Sequence, residues 1–304
     1  MAVSSNKRHI NISNPLFETH GHEPFKLFSC TSLARVFLQL RPRPTYTQSS
    51  TDEVIRVVCI SDTHNSKPDL PPGDILLHAG DLSDHGTFKE IQAQLDWLKA
   101  QPHKHKIVVA GNHDLLLDRN FVLRYPDREL DKLGASATDL NWGDIVYLED
   151  NSVNVACGSR KLKIFGSPYI PRCGSFAFQS NTGEDRWRNL IPEGTEVVLT
   201  HGPPALYLDG GKGSRLLLRE LLRARPSLVV FGHIHNARGR LDVPLTESQR
   251  LYGSIALGEA SWLALPLLLW QVFKEYIWRP PNDKITMVNA ACWREHRDSV
   301  TVDF

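Results

Sequence analysis

Seven side chains of the types that bind transition metals are grouped in five short blocks of the sequence. The blocks lie at 61–64, 80–86, 111–114, 200–204 and 232–235. The seven residues are Asp62, His64, Asp81, Asn112, His201, His233 and His235. Carboxylate, amide and imidazole groups together suit manganese, iron or zinc, whereas calcium and magnesium prefer oxygen ligands alone. The residue types therefore predict a centre that holds two divalent metal ions (Mn, Fe or Zn).

The ligands can be divided between the two ions. We expect the first ion to be held by Asp62, His64 and His235, and the second by Asn112, His201 and His233. Two cations a few ångströms apart repel each other, so they need a shared anionic ligand between them. We assign this bridging role to the carboxylate of Asp81.

Two further residues of these blocks could take part in a reaction. Two metal ions lower the pKa of a water molecule and neutralise charge on phosphoryl oxygens, which is the chemistry of phosphate ester hydrolysis. The leaving alkoxide then needs a proton. His113 directly follows Asn112 and is expected to donate that proton or to stabilise the charge. The carboxylate of Asp84 is expected to orient the imidazole and keep it protonated. We therefore predict that His113 and Asp84 are catalytic.

The blocks follow short apolar runs that predict strands buried on both faces. The predicted strands are 54–60, 74–78, 106–110, 145–148, 161–165, 196–200, 228–231 and 284–292. Helices are predicted at 87–100, between parallel strands, and at 215–224, after Ser214 as N-cap. His78 lies inside an apolar run and is expected to be a core histidine. This alternation predicts an α/β fold, and in an open sheet the polar residues that follow the strands would meet at one edge.

Composition sets limits on the class of protein. The chain has 304 residues, a hydrophobic fraction of 41% and a net charge of +1, as in an ordinary globular protein, so stable nucleic-acid binding is not expected. The five cysteines are an odd number without any C-x-x-C pair, which argues against a disulfide framework and indicates a reducing compartment. We therefore expect a cytoplasmic protein. A transit peptide is the alternative, although Glu18 and Glu23 are unusual in one.

The chain is predicted to contain one large domain with additions. Residues 1–50 are expected to form an N-terminal arm and linker, with a short helix within 27–40 that the proline pair at 42 and 44 ends. The metal-binding domain is expected to span 51–304, with an insertion at about 240–284.

The most apolar part of the insertion lies between Trp262 and Trp278. It is about 17 residues long and contains Lys274 and Glu275, so it is too short and too polar for a membrane-spanning helix of about 20 residues. The favoured interpretation is a buried or interface helix. Dimerisation or membrane-surface contact is the alternative, if side chains such as Trp262, Trp270 and Tyr276 form an exposed patch.

The five blocks SDTH, GDLSDHG, GNHD, THGPP and GHIH resemble those of the calcineurin-like metallophosphoesterase superfamily. More narrowly, IVVAGNHD, FGSPYIPR and WRNLIPEGTEVVLTHGPP resemble the metallophosphoesterase-domain-containing proteins of animals and their fungal relatives. The resemblance implies a two-sheet αββα sandwich, a two-metal site and phosphodiesterase-like activity. The ligand roles of the family, and its histidine beside the asparagine ligand, fall on the residues assigned above.

Substrate contacts are suggested by four further residues. Protein serine/threonine phosphatases, which resemble the chain in the same blocks, have a phosphate-binding arginine at the position of His85, and its loss makes a phosphoprotein substrate less suitable. Arg172 could bind a phosphate while an aromatic ring such as Tyr169 or Trp187 stacks on a base. The alternative is that Tyr169 and Trp187 belong to the core and that Arg172 forms a surface ion pair.

We predict from these observations a metal-dependent phosphodiesterase that acts on small or nucleotide-like diesters. The enzymatic alternative is a phosphomonoesterase or a protein phosphatase. A different alternative is a non-catalytic metal-binding scaffold that binds partners, although such a scaffold has no need of a proton donor at His113.

Overall fold

The computed structural model describes residues 30–40, 54–128, 130–131, 134–181, 184–278, 283–293 and 298–303. The predicted arm at 1–25 and the linker at 45–51 lie outside the described residues. The predicted short helix within 27–40 is present as α1, Cys30–Gln39.

The first sheet carries the first three blocks. Its strands are β1 (Arg56–Ile60), β2 (Ile75–Ala79), β3 (His105–Val109), β4 (Ile145–Tyr147) and β13 (Val300–Asp303), in the order β13-β1-β2-β3-β4. The strands β1 to β4 are parallel, and β13 joins β1 in antiparallel orientation. The sequence analysis did not predict β13, which is short and only partly buried.

The second sheet carries the last two blocks. Its strands are β5 (Asn151–Cys157), β6 (Arg160–Ser167), β9 (Val197–Thr200), β10 (Leu228–Phe231), β11 (Gly239–Pro244) and β12 (Lys284–Asn289), in the order β11-β12-β10-β9-β6-β5. The central strands are parallel, and β5 and β11 are antiparallel edge strands. The short strands β7 (Ile170–Pro171) and β8 (Gln179–Ser180) pair separately.

Helices cover the outer faces of both sheets. The remaining helices are α2 (Phe88–Lys99), α3 (Arg119–Arg124), α4 (Arg215–Ala224), α5 (Glu247–Ala256) and α6 (Leu265–Ile277). Helix α2 begins with a capping box between Thr87 and Glu90, and Ser214 caps α4 as predicted. Both predicted helices are confirmed.

Alternate residues of the central strands face different layers. In β1, Val57 and Cys59 pack between the two sheets, whereas Val58 and Ile60 pack in the layer that contains α2. The second sheet packs in the same way against α4 through Val198 and Val229. This double burial explains the continuous apolar runs, and it confirms the α/β two-sheet αββα sandwich.

The polar residues after the strands meet at the packed ends of two sheets, and not at the edge of one open sheet. The runs at 54–60, 74–78, 106–110 and 145–148 enter the first sheet, whereas those at 161–165, 196–200 and 228–231 enter the second. A short apolar run gives no information about which distant strand it will pair with, so periodicity could not divide the strands between two sheets.

The predicted insertion is a helical excursion between two neighbouring strands. Strands β11 and β12 pair from Gly239 with Asn289 to Pro244 with Lys284, so the first residues of the predicted insertion belong to the sheet and the excursion covers 245–283. Helices α5 and α6 pack there with α1 around Ala34, Leu268 and Val272. Within the parts of the chain that the structure describes, none of the helices is long and apolar enough to cross a membrane.

Candidate metal centre

The first group of predicted ligands combines residues from both sheets. Asp62 and His64 follow β1, and His235 follows β10. One ligand atom from each of the three lies within 4.8 Å of the others, and His235 Nε2 is 3.1 Å from Asp62 Oδ1. The Nε2 of His64 is buried without a hydrogen-bond partner, whereas its Nδ1 faces the Asp84 carboxylate. Buried polar atoms are rarely left without a partner, so this side chain fits a metal ligand.

The second group is also built from both sheets. Asp81 follows β2, and His201 and His233 follow β9 and β10; one ligand atom from each lies within 4.8 Å of the others. Asn112, which follows β3, places its Oδ1 3.0 Å from His201 Nε2. The two groups therefore contain all seven predicted ligands, at the carboxyl ends of strands in two packed sheets.

Asp81 lies between the two groups. Its Oδ2 is 3.4 Å from His201 Nε2 in the second group and 3.7 Å from His64 Nε2 in the first. This placement is the one that a bridging carboxylate requires, and the bridging role stays a prediction until metal content is measured.

Without a bound metal, the charges of the site favour an ionised Asp81 and a protonated His201. Burial opposes ionisation of Asp81, but the imidazoles of His201, His113 and His64 outweigh it and lower the pKa of the carboxyl. For His201 burial opposes protonation, and Asp81 outweighs it and raises the pKa to about 9. The Nδ1 of His201 donates to the carbonyl of Ala79 at 2.8 Å, which leaves Nε2 directed at Asp81. The raised pKa corresponds to a second proton, carried on Nε2, and a cation that binds at Nε2 would displace it.

The backbone of the site is held in conformations that non-glycine residues seldom adopt. The φ angles of Asp62, His64, Asp81 and His233 are 55°, 42°, 54° and 66°. Such left-handed residues persist only where the surrounding structure enforces them, and they are concentrated at functional sites. The strained loops place four predicted ligands immediately after three strands.

Two glycines of the blocks allow the carboxylates to approach the backbone. A Cβ at Gly111 would overlap the main-chain nitrogen and Oδ1 of Asp81, and a Cβ at Gly232 would overlap Ser61 Oγ and Asp62 Oδ2. Both glycines are therefore part of the geometry that aims the two aspartates.

Asp114 is a residue of the site that the sequence analysis missed. Its buried carboxylate accepts hydrogen bonds from the main-chain nitrogens of Gly111 (2.8 Å), Leu82 (3.2 Å) and Ser83 (3.0 Å), and from Ser83 Oγ (2.7 Å). Burial, with a further contribution from Asp81, raises its pKa to about 6. Asp114 thus ties the loop of Asp81 to the loop of Asn112, and its position in the GNHD block was the only signal available.

The structure corrects the predicted contact between Asp84 and His113. His113 Nδ1 donates to the main-chain carbonyl of Asp84 at 2.8 Å, and the Asp84 carboxylate does not orient this ring. That carboxylate instead lies 3.1 Å from His64 Nδ1 and accepts from Asn65 Nδ2 at 3.1 Å. Because the turn after Asp81 presents its carbonyl to His113, the side chain of Asp84 points to the first group.

Aromatic side chains line two sides of the site, and neither was predicted. Trp293 packs against His64 and His235, with ring centroids 4.5 and 4.9 Å apart. Phe176, which is exposed, packs against His113 at 4.9 Å. Trp293 follows Cys292, whose N–H donates to the carbonyl of Ser61 beside Asp62 at 2.7 Å. Only the tertiary fold brings these rings to the blocks, so no spacing in the sequence could have indicated them.

The four residues predicted to contact substrate do not lie together: one is buried, two are exposed and one lines a cavity. Trp187 is buried in the core, in agreement with the structural alternative. His85 is exposed, and its Nδ1 lies 3.0 Å from Glu90 Oε1, which raises its pKa. Arg172 is exposed on the loop after β7. Tyr169 lines a cavity of about 450 Å³ together with Phe176 and Arg186, whose guanidinium lies 3.2 Å from the Tyr169 ring centre.

Comparison with known proteins identifies the family. The sequence matches the calcineurin-like phosphoesterase family over residues 55–237, which is more than half of the chain. The chain belongs to the calcineurin-like phosphoesterase family. The predicted resemblance is therefore confirmed, and the dinuclear centre of this family agrees with the two ligand groups described above.

The relatives share this domain and are longer than the match. The chain is 42% identical over 251 residues to the probable rhamnogalacturonate lyase C of Emericella nidulans, covering 80% of this chain and 23% of that protein. It is 37% identical over 210 residues to human metallophosphoesterase domain-containing protein 1, covering 60% and 61%. A UPF0046 protein of Caenorhabditis elegans is 35% identical over 213 residues, covering 61% and 52%. The match thus spans less than two thirds of each of these relatives.

Proposed function

We propose that this member of the calcineurin-like phosphoesterase family is a metal-dependent phosphodiesterase that acts on small or nucleotide-like diesters. The observation that carries the proposal is the position of Asp81 between two His/Asp groups, with His113 held beside it. A metal-binding scaffold would have no need of a histidine fixed at the edge of the shared carboxylate.

The residues present fit two divalent ions. Asp62, His64 and His235 would hold one ion, and Asn112, His201 and His233 the other, with Asp81 shared. When bound, the ions supply Lewis-acid charge for the phosphoryl oxygens and lower the pKa of the attacking water. The mixed nitrogen and oxygen donors suit Mn, Fe or Zn.

His113 is the proposed proton donor to the leaving alkoxide. Its Nδ1 is occupied by the Asp84 carbonyl, and this leaves Nε2 as the atom that can donate to a substrate. Its main-chain N–H donates to Asp81 Oδ1 at 2.8 Å, so the ring position is coupled to the proposed bridging ligand. One hydrogen bond of the ring and one of the main chain therefore fix His113 before substrate arrives.

The aromatic rings around the site support a diester with a planar group. Trp293 packs against His64, and Phe176 packs against His113. Each of these two rings could stack on an aromatic ring of the substrate. The cavity beside Phe176, lined by Tyr169 and Arg186, offers space for the second ester group. His85 is directed at Glu90, so it does not replace the phosphate-binding arginine of protein phosphatases.

The test compares a diester and a monoester with the same leaving group. Manganese-reconstituted protein is assayed with bis(4-nitrophenyl) phosphate and with 4-nitrophenyl phosphate, beside Asp81→Asn and the exposed-surface control Asp96→Asn. We expect faster turnover of the diester, lost in Asp81→Asn and retained in Asp96→Asn. Faster turnover of the monoester would favour a phosphomonoesterase, and no turnover of either despite two bound metals would favour the scaffold.

We also propose a cytoplasmic location. No disulfide joins the five cysteines, all of which lie in described parts of the chain, and this supports a reducing compartment. Fractionation of cells that produce the tagged full-length chain tests this proposal.

A further inference from the structure

The outward surface of α6 and the turn before it is a large apolar surface that no other described residues cover. Nine large apolar side chains between Trp262 and Trp278 are 43–68% exposed. They include Trp262, Trp270, Phe273, Tyr276 and Trp278, and we call this surface the α6 face. The buried-helix interpretation is therefore wrong for this half of the helix.

The opposite side of α6 packs on the domain and carries the acidic residue of the helix. Leu268 and Val272 are buried against α1 and α5, and Glu275 is buried with them. The carboxylate of Glu275 accepts from the main-chain nitrogen and Oγ of Ser248 at 2.9 and 2.6 Å. A surface helix normally exposes its acidic side chains to water and buries its apolar side. In α6 the acidic side chain, Glu275, is buried, and much of the apolar surface is exposed.

The size of the α6 face calls for a partner. At about 200 Å² for a fully exposed side chain of this size, the exposed area is roughly 1,000 Å². The largest apolar patch on a typical monomer is about 300–600 Å², and larger ones mark interaction surfaces. The face also lies outside the residues that match the family, which end at 237.

The polar atoms of the α6 face favour one kind of partner. Three indole N–H groups and the Tyr276 hydroxyl are offered, and an indole nitrogen can only donate. In a symmetric dimer the face would meet its own copy, and the Tyr276 hydroxyl would be the one acceptor that this set of groups offers to three indole N–H groups. Phospholipid headgroups present ester and phosphate oxygens that accept, and tryptophan and tyrosine are enriched at that boundary.

The charge of the sequence that contains α1 also favours an anionic surface. Residues 1–50, which contain α1, carry six Lys/Arg and two Glu, a local charge of +4 in a chain whose total is +1. Helix α1 packs on α5 and α6 through Ala34. Arg35 belongs to α1 itself, and basic residues close to an apolar face strengthen attachment to anionic lipids.

We propose that the α6 face docks on an anionic phospholipid surface, with α6 lying in the plane of the headgroups. Helix α6 has 13 residues, which is too short to span a bilayer and sufficient to lie on one. The proposal does not rest on the proposed phosphodiesterase activity, because the face and the metal groups are built from different residues.

The test is flotation of the full-length protein with vesicles of phosphatidylcholine, with and without phosphatidylserine, at low and high salt. We expect binding to the mixed vesicles that weakens at high salt, and an affinity at least about tenfold lower for Trp270→Gln/Phe273→Gln. The matched control is Leu123→Gln, which removes an apolar side chain 69% exposed on α3 and should bind as the parent does.

Circular dichroism melting shows that the variants are folded, and sedimentation velocity without vesicles gives the oligomeric state. A monomer that floats through the α6 face supports the proposal. Absence of flotation with either vesicle, or flotation unchanged by Trp270→Gln/Phe273→Gln, would overturn it. A dimer that dissociates in this double variant would overturn it in favour of a second copy of the chain.

Discussion

The two carboxylate oxygens of Asp81 have separate partners, and one of them is the backbone of His113. Oδ1 accepts the main-chain N–H of His113 at 2.8 Å, and Oδ2 faces His201 and His64 at 3.4 and 3.7 Å. The first contact fixes the carboxylate plane, so the second oxygen is held between the two ligand groups. The proposed bridge and the proposed proton donor are thus coupled through one hydrogen bond.

Replacing Asp81 by asparagine should remove at least one of the two metal ions. The amide is neutral, so it cannot offset the repulsion between two cations as a carboxylate does. We expect metal content, measured by mass spectrometry after gel filtration, to fall from two ions per chain to one or fewer, and turnover to fall by on the order of a hundredfold or more. Asp96→Asn, an exposed acid on α2, should keep both ions. Two ions retained in Asp81→Asn would remove the bridging assignment.

Asp84 and His113 should differ in what their replacement changes. In His113→Ala the metal content should be kept and kcat should fall about 10²- to 10⁴-fold, since only the proton donor is lost. In Asp84→Ala the carbonyl that holds His113 Nδ1 remains, so kcat at saturating metal should change by less than about tenfold.

The Asp84 carboxylate contacts His64, so its loss should appear in metal affinity instead. Groups that orient a ligand typically contribute about 10- to 100-fold to metal binding, and we expect a loss of this size at the first group. Titration of the metal-free protein with Mn²⁺, followed by activity, separates the two effects. A large fall in kcat at saturating metal would restore a direct role of the Asp84 carboxylate in proton transfer.

The strands and helices that depend on local sequence patterns could be predicted from the sequence. The apolar runs predicted β1, β2, β3 and β10 within one or two residues, and Ser214 and the spacing of apolar residues in 87–100 predicted two helices. The seven predicted ligands converge because residues after parallel strands share one end of a sheet. This rule holds within each sheet, and the packing of the two sheets brings their ends together.

Features that depend on long-range packing could not be predicted. Trp293 reaches the site because Ala291 pairs with Ser61, two residues that lie far apart in the sequence. The main-chain carbonyl of Asp84 contacts His113, and its carboxylate contacts His64. This arrangement depends on the geometry of the turn, which residue type alone does not determine. The exposure of the α6 face could not be predicted either, because an apolar run has the same sequence pattern whether it is buried in a core or exposed on a surface.

Gly111→Ala should damage the site although it adds a single methyl group. The new Cβ would overlap the main-chain nitrogen and Oδ1 of Asp81, so the loop after β2 must shift. Overpacking of this kind typically costs about 1–3 kcal/mol in the free energy of unfolding, and the shift should weaken metal binding as well. Chemical denaturation and metal titration measure the two effects.

The matched control for this change is Gly253→Ala in α5. Its Cβ would lie 3.9 Å from Leu206 Cδ1, an ordinary contact, and alanine is favoured over glycine in a helix by about 1 kcal/mol. We therefore expect this variant to be as stable as the parent or more so, with unchanged metal affinity. Equal behaviour of both alanine variants would show that the close approach at Gly111 is not needed.

His78 should make the protein less stable in acid. Its Nδ1 accepts the N–H of Gly80 at 3.2 Å and its Nε2 donates to Thr63 Oγ1 at 3.0 Å, so the neutral ring satisfies both partners. Burial lowers its pKa from 6.5 to about 3. The unfolded chain therefore binds a proton below pH about 6.5 that the folded chain refuses, and the free energy of unfolding falls by up to about 1.4 kcal/mol per pH unit as pH decreases towards 3.

The measurement is urea unfolding of the metal-free protein at pH 7 and pH 5, with His78→Gln as the comparison. Glutamine keeps a donor and an acceptor at this position but does not titrate. Between these pH values the histidine should contribute a loss of about 2 kcal/mol in the parent that is missing in the variant. Above pH 7 the contribution is complete, so the two proteins should show parallel pH dependence there. Parallel curves down to pH 5 would mean that His78 takes up its proton in the folded protein as readily as in the unfolded chain, and that its hydrogen bonds to Thr63 and Gly80 do not hold it neutral.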